Sequence, residues 1–369
     1  MNTRNLVMPP GAFRLALACT VFVSHVLPPA LGAAAVYLFF ALSGYWIYQM
    51  WHSEYASLER PYTTFLVSRV WRLFPAFYAT LAVLALCVHP LGWLAFQLPS
   101  DWSPASLNFY VSHLVLLGYA QLSAPANVVP TVWSLDIELQ FYLFAPLAIW
   151  LLDRTTHRST GRLALYGFAA AGLAVLFTIY GLRPTTGTLP LYLGFFLCGL
   201  LAARHGWRPA RGQAHASLLG AALLLAGCIA LPHARELFLW GSFSGPLSQY
   251  NAQANGLLAL LLVPYAMATV RRAGTRSDRM LGNLSYEVYL VHGAALPIFL
   301  QHCLHLSRAA RMPWIVLMIV AVAAVSWLIY RYVDEPSERL RRAFVKAQPR
   351  QATSTPSAPP APPAASSTA

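Results

Sequence analysis

The chain has 369 residues, 57% of them hydrophobic and only 10% charged, with a mean hydropathy of +0.53 and a formal net charge of +13. An average soluble domain is roughly 25% charged, so the composition excludes an ordinary water-soluble domain and fits a polytopic helical protein whose backbone groups are satisfied inside each helix. Five cysteines stand singly in apolar segments with no CxxC spacing, which gives them a packing role and leaves neither a disulfide framework nor a metal site to expect.

Crossing a ~30 Å hydrocarbon core takes about 17–25 residues. Runs of that kind are predicted at 11–29, 33–51, 64–88, 134–152, 162–181, 187–203, 216–232, 254–270, 283–303 and 313–333. The expectation is an all-α polytopic membrane protein of about ten transmembrane helices. It divides into a short N-terminus (1–10), a membrane domain (11–346) and a tail (347–369). Only Arg4 precedes the first apolar run and no small-residue cleavage site is clearly placed, so no cleavable leader is expected.

The first span, FRLALACTVFVSHV, carries Arg14 and His25. Eleven helical steps return to within about 20° of the same face, about 16 Å along the axis. An ionisable group in the bilayer centre costs about 2.5–3.5 kcal/mol, so each needs a reason. The second span, FFALSGYWIY, places Ser43 and Gly44 between aromatics, a notch that lets helices approach. The third opens on SRVWRLFP, with Arg69 and Arg72 on one face at i and i+3. That pair suits a phosphate or simple anchoring at the membrane surface.

The break at 89–133 holds Asp101, Trp102, Asn108 and His113 without Lys or Arg, and a short re-entrant or interfacial helix is predicted near 107–122. The fourth span begins WSLDIELQFY. Its Asp136 and Glu138 come at a depth similar to His25, where a carboxylate would orient an imidazole. A solvated helix end is the plainer reading of Asp136. Near the end, LGNLSYEVYLVHG groups Ser285, Tyr286, Tyr289 and His292 on one helix surface, with Glu287 on another. Tyr289 and His292 suit interfacial anchors. From Gln348 the Pro/Ala/Ser-rich tail is expected to be disordered.

With both termini placed in the cytoplasm, 21 of the 25 Lys and Arg fall on the inner side. That asymmetry sets the orientation and accounts for the basic pI without nucleic acid.

Taken together, these stretches resemble the acyltransferase-3 family of integral membrane acyltransferases, which includes O-acetylases of O-antigen, peptidoglycan and other surface glycans. The resemblance rests on Arg14 with His25, on FFALSG, on Arg69, Arg72 and Pro75, on WSLDIELQFY, on SYEVYLVH and on DEPSERLRR, in that order over about 10–345. Where many relatives carry adjacent glutamates, Glu138 is followed by Leu139, so a second carboxylate's role is absent or falls to Asp136. The resemblance implies acyl transfer from acyl-CoA, most simply acetyl-CoA, used as co-substrate with no permanently bound cofactor and no metal. It implies His25, Glu138 and Asp136 as catalytic residues. Arg14, Arg69, Arg72 and Ser43 would hold the donor, and Trp133, Gln140, Tyr142, Tyr289 and His292 the acceptor.

The expected acceptor is a carbohydrate or lipid-linked glycan at the outer face of a bacterial cytoplasmic membrane. The chain lacks the fused extracytoplasmic hydrolase-like domain of some relatives, which leaves room for a separate extracytoplasmic transferase partner. Two rival classes are a flippase using His25 and Glu138 as a proton relay, and a scaffold without chemistry. The inverted repeat and broken helices of a transporter are not evident in the sequence.

Overall fold

A computed structural model describes residues 7–92, 103–119, 128–155, 187–239, 245–272 and 274–351. Its elements are helices, and the described residues add only an isolated bridge between Leu58 and Arg350. In chain order they are α1 (Pro10–Val26), α2 (Gly32–Met50), α3 (Pro61–Leu91), α4 (Pro104–Val115), α5 (Trp133–Asp153) and α6 (Leu189–Arg204). There follow α7 (Arg211–Ala230), α8 (Asn251–Thr269), α9 (Arg276–Cys303), α10 (Arg308–Ile329) and α11 (Glu335–Lys346). The short helix expected in the 89–133 break is α4. The expected span at 162–181 lies outside the described residues.

Among the described residues, five stretches are long and apolar enough to cross a membrane, 61–87, 130–153, 211–230, 248–269 and 308–346, while α1 and α6 are shorter apolar helices. Their outer surfaces are greasy: Leu219 and Leu223 on α7 and Val316, Leu317 and Val320 on α10 are all exposed. Such faces are stable against lipid rather than water. The protein is a multi-pass membrane protein.

Local chemistry sets the helix ends. Proline, which has no N–H to satisfy, sits in the first turn of α1, α3, α4 and α6. Thr275 and Ser307 cap α9 and α10 through their hydroxyls. The start of α1 is capped from another helix: Gly11 and Ala12 donate their N–H groups to the Asp278 carboxylate at 3.1 and 2.9 Å. Pro9 and Pro10 have no N–H and Phe13 N already bonds Pro9 O, so these two bonds satisfy the orphan donors left at that terminus, and α1 is pinned along α9, its main neighbour.

The second tight pair is α2 with α6. Gly44 backs onto the Phe196 carbonyl and Gly199 onto that of Ala41, each too closely to admit a Cβ. Phe40 and Phe141 stack on Phe196 at 4.8 and 4.0 Å between centroids. The notch of the second span is therefore a helix-packing notch at Gly44, while the neighbouring Ser43 turns to α5. Gly199→Val is expected to overpack this contact and destabilise the protein by about 1–3 kcal/mol; thermal unfolding in detergent measures it.

Two polar residues of α5 fasten loops. Asp136 is fully buried and accepts from Gly118 N at 3.0 Å and Gln140 Nε2 at 2.9 Å. Gln140 also donates to Gly187 O at 3.2 Å and accepts from Leu189 N at 2.9 Å, which holds the start of α6. Asp136 thus does not face water. At the other end, α10 runs through a π-helical turn, Tyr330–Asp334, into α11. The first tail residues are fastened: Glu59 N donates to Pro349 O at 3.0 Å and Gln351 N to Ser57 O at 2.9 Å.

Candidate active site

A cavity of about 710 Å³ lies between α1, α2, α3, α5, α9 and α11. Eight cationic side chains, Arg14, Arg69, Arg72, Arg279, Arg341, Arg342, Lys346 and Arg350, line it against three carboxylates, Glu54, Glu138 and Glu338. Its deeper wall is aromatic and apolar, with Phe39, Phe40, Leu135 and Tyr289. A dry-walled, strongly cationic recess of this size suits a small anionic ligand with an apolar arm.

The three arginines expected from the sequence are all present, in different states. Arg14 has no hydrogen-bond acceptor or ion-pair partner among the described residues; its electrostatic neighbours include Arg72 and Glu138. Arg69 is 5% exposed and donates to the Tyr55 hydroxyl at 3.0 Å, while its Nε is buried without an acceptor among the described residues. Arg72 pairs with Asp334 at 2.5 Å and lies over the Tyr286 ring, 5.2 Å from its centroid. The spacing of Arg69 and Arg72 put both on this wall, but their partners come from distant sequence.

Glu138 also lines the cavity. Its Oε1 accepts from Ser43 Oγ at 2.8 Å and from the Tyr142 hydroxyl at 2.6 Å. Four residues named from the sequence, Arg14, Ser43, Glu138 and Tyr142, therefore share one neighbourhood. His25 is elsewhere. Its ring is exposed beyond the aromatic wall and stacks on His292, with centroids 5.6 Å apart and 26° between planes. Similar depth did not bring His25 to the α5 carboxylates, because α1 packs chiefly on α9 and α2, whereas α5 packs on α3, α6 and α2.

Tyr289 and His292 are buried rather than interfacial. The Tyr289 hydroxyl is 2.7 Å from Ser134 Oγ and donates to Thr131 O at 2.9 Å. Tyr289 touches Phe39 and His292 edge-on, at 6.3 and 5.5 Å between centroids. It thus forms the single ring layer between the cavity and the histidine pair. His292 Nδ1 lies 2.9 Å from Val288 O, so Nδ1 carries the hydrogen and Nε2 is left buried without a partner among the described residues. Trp133 packs on Tyr192 and on Phe40 of the cavity wall, and does not itself line the cavity.

Sequence reasoning missed the contribution of α11. Glu338 accepts two hydrogen bonds from Arg341 and one from Arg342, each at 2.7 Å. Those two arginines share the one carboxylate. Arg341 also reaches Ser68 Oγ at 2.5 Å, which ties α11 to α3 beside Arg69. The i+3 and i+4 spacing of Glu338 to Arg341 and Arg342 was the available signal.

A family described as an acyltransferase domain, the acyltransferase-3 family, matches residues 10–331. A protein of Komagataeibacter xylinus named "Putative membrane-bound transacylase BcsY" is 23% identical over 315 residues, covering 81% of this chain and 75% of that one. An uncharacterized protein of Haemophilus influenzae is 29% identical over 119 residues, 31% of this chain and 48% of that relative. No solved structure matches significantly. With the match running from the start of α1 to the π-helical turn after α10, the chain belongs to the acyltransferase-3 family of membrane acyltransferases.

Proposed function

We propose that this acyltransferase moves an acyl group, acetyl in the simplest case, from acyl-CoA to a hydroxyl of a cell-surface carbohydrate. The donor enters from the cytoplasmic side of a bacterial inner membrane, and the acceptor is an O-antigen, exopolysaccharide or lipid-linked glycan at the outer face. The observation that carries this reading is the polarity of the cavity: a cationic mouth, an apolar depth, and a histidine pair one ring layer beyond it.

Arg14, Arg69 and Arg72 hold phosphates of the donor through charge-assisted hydrogen bonds. The pantetheine arm follows the apolar wall and brings its thioester past Tyr289 to His25. His25 takes the proton of the acceptor hydroxyl, the oxygen attacks the thioester carbonyl, and the C–S bond breaks. The CoA thiolate then collects the proton from His25, so the histidine is regenerated. Glu138, with Ser43 and Tyr142, fixes the donor arm on the Arg14 side of the wall. A separate extracytoplasmic transferase can take the acyl group onward.

Arg14 gives the first test, since removing it orphans no partner. Arg14→Ala is expected to weaken acetyl-CoA binding to the detergent-purified protein about tenfold or more, the worth of a charged hydrogen bond. Arg14→Lys, which keeps charge and loses the planar fork, should fall between. Calorimetry reads both, and a wild-type protein that binds no acetyl-CoA would refute the donor.

A further inference from the structure

Seven of the eight cations of the cavity fall into two tiers; the eighth, Arg341, is buried and bonded to Glu338 and Ser68. Arg14, Arg69 and Arg72 project from α1 and α3 and are buried or half-buried. Arg279, Arg342, Lys346 and Arg350 are exposed at the mouth. The outer four come from opposite walls. Arg279 stands in the first turn of α9, and Arg342 and Lys346 are i and i+4 on α11. Arg350 is held just beyond α11 by the backbone pairing with Leu58.

Their partners do not consume their charge. Arg342 shares Glu338 with Arg341, and Arg279 donates to the neutral Gly274 carbonyl at 3.1 Å. Lys346 and Arg350 have no carboxylate partner among the described residues. Inside, the cavity-lining Arg14 has no hydrogen-bond acceptor or ion-pair partner among the described residues. One cavity therefore offers anion-binding donors at two depths.

A donor with a single phosphate next to its pantetheine arm needs only the inner tier. Coenzyme A carries its charge in two places, a diphosphate beside the arm and a separate 3′-phosphate on the ribose. We propose that Arg279, Arg342, Lys346 and Arg350 form a second phosphate subsite that binds the 3′-phosphate and selects CoA thioesters over donors bearing only the pantetheine phosphate. This assignment rests on the acyl-CoA reading above. The placement of all four side chains within the lining of one small-molecule-sized cavity, rather than across a flat face, favours a nucleotide over an acidic carrier protein.

The experiment compares CoA with 3′-dephospho-CoA on the full-length purified protein, wild type and Arg342→Gln/Lys346→Gln. Wild type is expected to bind CoA about tenfold more tightly than dephospho-CoA. The double variant should lose that preference, with dephospho-CoA affinity unchanged within about twofold; this retained binding also reports an intact fold. Equal wild-type affinities, or proportional weakening of both ligands in the variant, would overturn the subsite and leave the donor reading standing. Absence of binding by either nucleotide would refute both. Tighter binding of a phosphopantetheine-bearing carrier protein, lost in the double variant, would reassign the outer tier to that protein.

Discussion

His25→Ala is expected to lower acyl transfer about 10²–10⁴-fold, the usual worth of a positioned general base, while acetyl-CoA affinity should stay at the wild-type value. The two readouts separate because His25 lies outside the cationic cavity, beyond the Phe39–Tyr289 layer. The substitution is structurally mild: His25 is exposed, and its ring stacks on His292. Transfer from labelled acetyl-CoA to surface glycan, with donor binding in parallel, measures it. Full transfer in the variant would remove His25 from the chemistry. Acetyl-histidine trapped on quenching would replace direct transfer with a covalent route. Loss of glycan translocation with no CoA requirement would instead favour the flippase.

Period and charge made much of this molecule readable. Long apolar runs located the helices because a bilayer forces each segment to satisfy its own backbone. The Arg69–Arg72 spacing placed both guanidinia on one cavity wall. Azimuth between helices was not readable. Asp136 was paired with His25 on depth alone, yet it holds the Gly118 loop, because α5 turns that face toward α4 and α6. Tyr289 and His292 looked like surface anchors because aromatics favour membrane interfaces; the packing of α9 on α1 buries them instead. Asp334 and Glu287 are separated by 47 residues of chain, so no local pattern announces that they meet around Arg72.

Arg72→Ala should be the most destabilising single change at this site, at about 3–5 kcal/mol. The guanidinium faces two buried carboxyls, Asp334 at 2.5 Å and the fully buried Glu287, which interacts with both. Neither oxygen of Glu287, nor Oδ2 of Asp334, receives an N–H or O–H donor among the described residues. Removing the cation leaves two buried carboxyls without their counter-charge in a dry place; removing one carboxyl leaves the other with its cation. Glu287→Gln alone is therefore expected to change stability by less than about 1 kcal/mol. Arg72→Ala/Glu287→Gln should regain part of the loss, the coupling expected of groups in contact. Thermal unfolding of the four proteins in one detergent closes the cycle. Additive effects, or a Glu287→Gln variant as unstable as Arg72→Ala, would show that Glu287 supports the fold by a contact of its own and not through Arg72.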